Sequence, residues 1–220
     1  MNDTVIIVAG GAGVRMGNAV PKQFMLLKGK PVLIRTIEKF IEFDSSLDII
    51  VTLPANQIHT WTNLCEQYKF KYKHTVVNGG NTRFHSVYNA LLKISADCEI
   101  IAVHDGVRPL VNIETIRKCF DLAREKGSAV PILQINESIR EIRENTSQPV
   151  NRDGMYIVQT PQMFQRDTIM QAYCQEYIPE FTDDASVVGK SGFVVKFTEG
   201  HRENIKITIP DDIAFAEKFL

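Results

Sequence analysis

The hydrophobic residues of this chain follow two alternating patterns. Short, continuous apolar runs end in glycine, proline or polar residues, as the buried strands of a parallel sheet do. Between these runs apolar residues recur at helical spacing, and Val87, Ala90 and Ile94 lie at i, i+3 and i+7. This alternation predicts βαβ units and hence an α/β fold with a doubly wound, mostly parallel sheet. The predicted strands are residues 5–9, 47–53, 74–77, 99–103 and 128–133, with helices near 33–41, 61–64, 87–94 and 113–120.

The pattern changes between residues 135 and 162. Charged residues interleave with few aliphatic ones there, and a turn-like segment, 145–148, lies in the middle. We interpret the stretch at about 135–160 as a hairpin arm that leaves a single domain spanning residues 1–220. Because an isolated hairpin is marginally stable in water, a two-fold dimer is its expected support, and an ordinary solvated loop is the alternative. The chain then returns through a predicted helix at 166–176, a strand at 193–197 and a C-terminal helix that begins at Pro210.

Composition and charge narrow the range of partners. The 220 residues are 44% hydrophobic and carry a formal net charge of −1, which disfavours binding to nucleic acid or to an anionic membrane surface. An anionic ligand must therefore be held by a local cluster of cations. The four cysteines have no paired spacing. The N-terminus has an acid, Asp3, where a signal peptide would carry positive charge, and the apolar run at 5–9 is far short of a membrane span. We expect a cytoplasmic protein.

A glycine-rich segment follows the first predicted strand. Gly10, Gly11 and Gly13 would let backbone amides approach phosphate oxygens closely. The spacing departs from the dinucleotide-binding fingerprint, and the Gly-Lys-Ser/Thr ending of a P-loop is missing. Two cations, Arg15 and Lys22, follow instead, and they suit a triphosphate whose leaving group is pyrophosphate. A tight turn with solvated charges beside it is the alternative.

Three later segments also carry candidate chemistry. The Gly-Gly pair after the third strand, with Ser86, could read a base edge or could serve as a helix cap. Asp105 and Arg108 follow the fourth strand, where ligands bind in such sheets, and could orient Mg²⁺ and a second phosphate. Lys206 lies in an apolar setting that would aim its amine, unless it faces water from an edge strand. We interpret His104 as structural and give it no catalytic role.

Eight segments occur in an order and spacing that are more specific together than any one alone. They are residues 9–17 (AGGAGVRMG), 21–23 (PKQ), 79–87 (GGNTRFHSV), 104–109 (HDGVRP), 150–152 (VNR), 159–162 (QTPQ), 182–186 (TDDAS) and 199–208 (EGHRENIKIT). Over essentially the whole chain they resemble the 2-C-methyl-D-erythritol 4-phosphate cytidylyltransferases of the non-mevalonate isoprenoid pathway.

The resemblance implies a Rossmann-like domain and a homodimer in which a protruding arm completes the neighbouring active site. It implies transfer of CMP from CTP to 2-C-methyl-D-erythritol 4-phosphate, with Mg²⁺ as the cofactor. Arg15, Lys22 and Lys206 would surround the triphosphate, and Asp105 would orient substrate and, indirectly, the metal-bound phosphate. Further nucleotide contacts would be Ala9, Gly10, Gly11, Ala12, Gly13, Gly80, Asn81, Arg83 and Ser86, and acceptor contacts would be Arg108, Ser138, Arg152 and Thr160. Of the acceptor contacts, Thr160 and Arg152 are expected from the arm of the partner subunit.

Three other functions remain open at this point. The nearest is cytidylyl transfer to ribitol 5-phosphate or a similar polyol phosphate, which would use the same nucleotide site. An NAD-linked oxidoreductase is disfavoured, because the glycine spacing is altered and the second strand ends without an acid for the ribose. A non-catalytic nucleotide-binding module would keep the glycine loop but would have no use for Lys22, Asp105, Arg152 and Lys206 together.

Overall fold

The computed structural model describes residues 3–10, 20–144 and 146–220. Within these ranges every helix is too short or too polar to span a lipid bilayer. The helices are α1 (Val32–Phe43), α2 (Ile58–Gln67), α3 (Arg83–Leu91), α4 (Ile113–Lys126), α5 (Arg166–Ala172), α6 (Asp184–Lys190) and α7 (Pro210–Ala216). The strands are β1 (Thr4–Val8), β2 (Leu26–Leu27), β3 (Lys30–Pro31), β4 (Asp48–Leu53), β5 (Thr75–Asn78), β6 (Ile100–Asp105), β7 (Ser128–Gln134), β8 (Ile139–Arg143), β9 (Thr146–Val150), β10 (Tyr156–Val158), β11 (Gln162–Gln165) and β12 (Phe197–Glu199).

One large sheet carries the fold, in the order β10-β7-β11-β6-β1-β4-β5, with β12 paired to β7. Its centre is parallel: Val5 of β1 lies opposite Ile49 of β4 on one side and Ala102 of β6 on the other. β11 runs antiparallel to both β6 and β7, and β10 runs antiparallel to β7. The remaining strands of this sheet share one direction, so the predicted α/β fold with a mostly parallel sheet is confirmed.

Alternate residues of the central strands face opposite helical layers. Val5 and Ile7 pack with α1 residues in one core, whereas Ile6, between them, packs with α3 residues in the other. Ile100 and Ile101 divide in the same way. Because neighbouring side chains of a strand point to opposite faces, a continuous apolar run is what a sheet covered on both faces requires.

Side-chain caps fix two helix starts near the carboxyl edge of the sheet. Thr82 accepts a hydrogen bond from the N–H of His85 at the start of α3. At the start of α6, Asp183 accepts from the Ser186 N–H at 2.8 Å, and Ser186 Oγ accepts from the Asp183 N–H at 3.2 Å. Such reciprocal caps satisfy exposed helix donors and hold the entering chain at a defined angle.

The predicted arm is shorter in the structure than about 135–160. β8 and β9 form a separate two-stranded antiparallel hairpin, in which Ile139 lies opposite Val150. β10 already belongs to the main sheet, since Ile157 lies opposite Leu133 of β7. The hairpin is therefore about a dozen residues long and is largely exposed.

The strand expected at residues 193–197 was wrong. Residues 193–196 belong to no strand, and β12 begins only at Phe197. Phe193 and Val195 are apolar because they pack against the core that contains α3. The apolar residues at every second position therefore indicate which side chains are buried, and they do not show that the backbone pairs with another strand.

Candidate active site

A cavity of about 260 Å³ opens at the carboxyl ends of β1 and β6. It is formed by five separate stretches of the chain, which is why no single motif could define it. Nine of the predicted site residues line it: Ala9, Gly10, Lys22, Gly80, Asn81, Arg83, Ser86, Asp105 and Lys206. The predicted contacts Gly11, Ala12, Gly13 and Arg15 lie outside the described residues.

The turn after β5 is shaped by the hydroxyl of Ser86. This hydroxyl accepts a hydrogen bond from the Gly80 N–H at 3.0 Å and donates to the Thr82 carbonyl at 2.9 Å. A Cβ atom at position 80 would lie 2.3 Å from Cβ of His85, so only glycine fits. Ser86 therefore holds the turn, and the exposed Gly80 and Asn81 are presented to the cavity.

Asp105, the last residue of β6, is the centre of a charge cluster. Its Oδ2 atom lies 3.0 Å from Nζ of Lys206 and 3.1 Å from Nε of Arg108. Its Oδ1 atom lies 3.8 Å from Nε of Arg83. Burial by itself would raise the pKa of this carboxyl, but Lys206, Arg83 and Arg108 hold the pKa well below its usual range. Asp105 is therefore ionised near neutral pH, and its carboxylate orients the three cations around it.

A buried hydrogen-bond relay fixes the backbone beneath this cluster. His104 is fully buried, and burial lowers its pKa to about 4, so the ring is neutral near pH 7. Nε2 lies 3.1 Å from the Arg108 carbonyl, which can only accept, so this nitrogen carries the proton. Nδ1 then accepts from the Thr160 hydroxyl at 3.0 Å, and that hydroxyl accepts from the Asp105 N–H at 3.1 Å. The interpretation of His104 as structural agrees with this arrangement.

Lys206 is held by anchors on both sides. Nη1 of Arg108 donates to the carbonyl of Asn204 at 2.8 Å, and the Ile207 N–H donates to the carbonyl of Val107 at 2.9 Å. These bonds fasten the segment after β12 onto the loop after β6. The Lys206 side chain, 41% exposed, is left to span from that segment to the Asp105 carboxylate.

Lys22 reaches the cavity because its neighbour is fixed to the end of β1. Residues Lys22–Phe24 form one turn of 3₁₀ helix. The buried amide of Gln23 donates to the Ala9 carbonyl at 2.9 Å and to Oε1 of Gln57 at 2.6 Å. Gln23 is therefore the residue that attaches this turn to the sheet, and it was not predicted as a site residue.

A second cavity, of about 230 Å³, adjoins the first. The two share Arg83, Asp105 and Lys206, so one charged wall faces both spaces. The predicted acceptor residues Arg108 and Thr160 line this second cavity. Its other lining residues were not predicted as site residues, although three of them lie in segments that carry the family resemblance: Val158, Gln162, Thr182 and Asp183.

The expectation that Thr160 reaches the site from a partner's arm was wrong. Thr160 is buried in its own subunit, beside its own Asp105, because β11 inserts next to β6. Ser138 and Arg152 are different: both are exposed at the base of the hairpin, where Nη1 of Arg152 donates to the Asn136 carbonyl. Neither lines the first or the second cavity as the described residues form them.

Asp184 is a buried charge that sequence reasoning missed. Its side chain is wholly buried, with Oδ2 lying 2.6 Å from Nη2 of Arg83 and Oδ1 accepting from the Tyr173 hydroxyl at 2.7 Å. The acid-rich start of α6 was visible within residues 182–186. Its partner was not, because 101 positions separate Arg83 from Asp184.

Comparisons with known proteins agree with this geometry. The model of the 2-C-methyl-D-erythritol 4-phosphate cytidylyltransferase family matches residues 4–220. A curated relative of that name from Bacteroides thetaiotaomicron is 47% identical over 220 residues, covering 100% of both chains. One from Phocaeicola vulgatus is 48% identical over 217 residues, covering 99% of both chains.

Solved structures with the same family name are also similar. The crystal structure of the Francisella tularensis 2-C-methyl-D-erythritol 4-phosphate cytidylyltransferase is 31% identical, with a TM-score of 0.85 and coverage of 100% of both chains. That from Thermus thermophilus is 26% identical, with a TM-score of 0.79 and coverage of 100% of this chain and 98% of that one. Sequence, fold and the cationic double cavity therefore lead to one conclusion: the chain belongs to the 2-C-methyl-D-erythritol 4-phosphate cytidylyltransferase family.

Proposed function

We propose that this protein transfers the CMP group of CTP to 2-C-methyl-D-erythritol 4-phosphate, giving 4-diphosphocytidyl-2-C-methyl-D-erythritol and pyrophosphate. The observation that carries the proposal is the charged wall shared by two adjoining cavities. A reaction between two phosphates needs a place for each and cations between them. CTP would occupy the first cavity and the acceptor the second.

The chemistry requires positioning and neutralisation of charge. An oxygen of the acceptor phosphate would attack the α-phosphorus of CTP in line, forming a new P–O bond as the bond to the β-phosphate oxygen breaks. Pyrophosphate would leave with that electron pair. The acceptor phosphate is already an anion, so no covalent enzyme intermediate is required. Bringing a triphosphate of charge ~−4 next to a dianion is costly, so repulsion is the main obstacle.

The described residues offset this repulsion with an excess of positive charge. Lys22 and Lys206 would contact the triphosphate, together with Arg15, and would stabilise negative charge that grows on the leaving group. Arg108 would hold the acceptor phosphate, and Asp105 would keep Lys206 and Arg108 in place. The charged side chains that line the two cavities are Lys22, Arg83, Arg108 and Lys206 against Asp105 and Asp183.

The site fits Mg²⁺ carried in with the nucleotide. Among the described residues no group of three His, Cys, Asp or Glu side chains is placed to hold a metal. Mg²⁺ is usually held by one or two carboxylates, phosphate oxygens and water. Oδ1 of Asp105 lies 3.8 Å from Nε of Arg83, too far for a hydrogen bond, so this oxygen could accept one from a water carried by the ion. The bound ion would supply further neutralisation of phosphate charge.

We also propose a homodimer in which the hairpin reaches the partner. Tyr156 and Ile157, at the base of the hairpin, are 48% and 50% exposed, and Ile142 within it is 73% exposed. A partner surface would cover these apolar groups and support a hairpin that is marginal alone. Ser138 and Arg152 would then lie at the second cavity of the partner. A cytoplasmic location is part of the same proposal.

Pyrophosphate release from CTP, Mg²⁺ and candidate acceptors tests the reaction. We expect release that depends on 2-C-methyl-D-erythritol 4-phosphate. Release that instead depends on ribitol 5-phosphate would overturn the choice of acceptor, although the names of the full-length relatives do not favour it. A chain that binds CTP and releases nothing with either acceptor would contradict catalysis altogether.

A further inference from the structure

We propose that Asp184 is a positioning residue that holds the Arg83 guanidinium on the wall between the two cavities and keeps it from closing onto Asp105. The inference deepens the proposed function and rests on it for its kinetic test. Asp184 lines neither cavity, so it would act only through Arg83.

Both carboxylate oxygens of Asp184 are committed. Oδ2 lies 2.6 Å from Nη2 of Arg83, and Oδ1 accepts from the Tyr173 hydroxyl at 2.7 Å. The Asp184 side chain is wholly buried, whereas the Arg83 side chain is 22% exposed and lines both cavities. Asp184 is therefore the buried, fixed end of the pair, and Arg83 is the end that faces the cavities.

Tyr173 keeps the fixed end rigid. Its ring is 2% exposed and stacks on Phe84 with centroids 4.6 Å apart. Burial and the neighbouring carboxylate of Asp184 raise the pKa of this hydroxyl well above its usual value, so it stays protonated and donates. Arg83 and Phe84 are consecutive, so the same short segment is held by an ion pair and by a ring stack.

The geometry at the cavity end shows what the tether prevents. A guanidinium beside a carboxylate frequently forms two short, parallel N–H···O bonds with it. Arg83 instead stays 3.8 Å from Asp105, while Lys206 and Arg108 lie at 3.0 and 3.1 Å. Nη2 of Arg83 is hydrogen-bonded to Asp184. The guanidinium therefore cannot rotate to donate two of its N–H groups to the Asp105 carboxylate. Asp105 is thereby left to orient Lys206.

The kinetic test is a double-mutant cycle on the full chain. We expect Asp184→Asn and Arg83→Gln each to lower kcat for pyrophosphate release about 10- to 100-fold, since coupled pairs of this kind interact strongly. The combined variant should be no slower than Arg83→Gln, because Asp184 then has nothing to position. Losses that multiply in the combined variant, or an Asp184→Asn kcat within about twofold of wild type, would overturn the proposal.

If Asp184→Asn is too unstable to assay, Tyr173→Phe tests the same positioning role. It keeps both charges and the ring and removes only the hydroxyl that steadies Asp184. We expect kcat about 3- to 10-fold lower in the wild-type background and unchanged in the Arg83→Gln background. Equal losses in the two backgrounds would mean a general packing effect and would overturn the proposal.

A crystal structure of Asp184→Asn, or of Tyr173→Phe if that variant alone folds, needs no turnover. In Asp184→Asn we expect the Arg83 guanidinium to move to within about 3.2 Å of Asp105. In Tyr173→Phe we expect the Arg83–Asp184 pair to lengthen. Arg83 left in its present place would overturn the positioning role. A wild-type chain that releases no pyrophosphate would overturn only the proposed function, and the crystal structure would then decide the inference.

Discussion

Nζ of Lys206 lies 3.0 Å from Oδ2 of Asp105, although the two residues come from distant parts of the chain. The pairing leaves Lys206 41% exposed at the junction of the two cavities. Asp105 thus aims the amine without removing it from a substrate, because an oriented and still accessible cation can move its hydrogen bonds to a phosphate as charge develops there.

Removing the Lys206 amine should affect turnover far more than folding. We expect Lys206→Ala to lower kcat for pyrophosphate release about 100-fold, the usual cost of deleting one charge-stabilising donor. The melting temperature should change little, because Arg108 and Arg83 still neutralise the buried Asp105 carboxylate. Lys118→Ala is a matched control: Lys118 is 46% exposed and ion-paired with Glu114 at 3.6 Å. Equal rates in the two variants would contradict the assigned role of Lys206.

The ionisation of Asp105 should appear in the pH dependence of stability. Its folded pKa lies below the ordinary value of 3.8, so its contribution is complete above that pH and is lost as pH falls below it. We therefore expect the difference in unfolding free energy between wild type and Asp105→Asn to shrink as the pH is lowered from about 6 to about 3. Denaturant titrations at both pH values measure it. A difference that grows on acidification would refute the assignment.

His104 should make the protein less stable in mild acid. Its pKa is about 4 in the fold and 6.5 as a free side chain, so the unfolded chain binds the proton first as pH falls. Between these values the wild type should lose stability, up to about 3 kcal/mol, and His104→Gln should lack that slope. In ¹⁵N NMR spectra at pH 7 we expect a protonated Nε2 and an unprotonated Nδ1. The opposite tautomer would contradict the relay through Thr160.

Position 80 should tolerate no side chain. A Cβ there would meet Cβ of His85 at 2.3 Å, so Gly80→Ala must displace the turn that Ser86 holds. We expect a higher KM for CTP and a stability loss of about 1–3 kcal/mol, as for other overpacked sites. Gly189→Ala is the control, since nothing lies within 4 Å of an added Cβ in that helix. We expect it to be neutral or to stabilise by about 0.5–1 kcal/mol.

Arm exchange can be tested by mixing two impaired variants. Lys206→Ala impairs the body of a site, and Arg152→Ala would impair the arm. If each arm serves the partner, a mixed dimer contains one doubly impaired site and one intact site. We therefore expect activity to return when the two variants are mixed and allowed to exchange subunits. If activity stays at the average of the separate variants although mixed dimers form, the arm does not serve the partner's site.

Local pattern predicted the centre of the fold but not its edges. The apolar runs at 5–9 and 47–53 belong to strands covered on both faces, where composition alone is distinctive. β11 has four residues and α6 has seven, with Gly189 inside it, so neither repeats a pattern long enough to recognise. The order of strands also depends on pairings between distant segments, and no local window contains them.

The site shows the same division. Asp105 and Arg108 were identifiable because they follow a continuous apolar run, and Lys206 because it lies in an apolar setting. Their mutual distances were not, because they follow from the docking of the last segment of the chain onto the loop after β6. Thr160 was assigned to the wrong place for a related reason: the reversed strand that delivers it was itself not predicted.

That reversed strand has a consequence for how substrate preference can change. In a wholly parallel sheet only strand endings face the ligand, whereas β11 brings its beginning to the same edge. Apart from Lys206, the described lining of the first cavity, proposed for the nucleotide, ends at Val107. The second cavity, proposed for the acceptor, takes all of its unshared residues except Arg108 from Val158 onward. Substitutions at Val158 or Thr182 can therefore reshape the proposed acceptor cavity without changing a residue that lines the first cavity, whereas Thr160 is bonded to Asp105, which lines both. Acceptor preference can therefore change through a few positions in the second half of the chain, provided that Lys206, which lines both cavities, is kept.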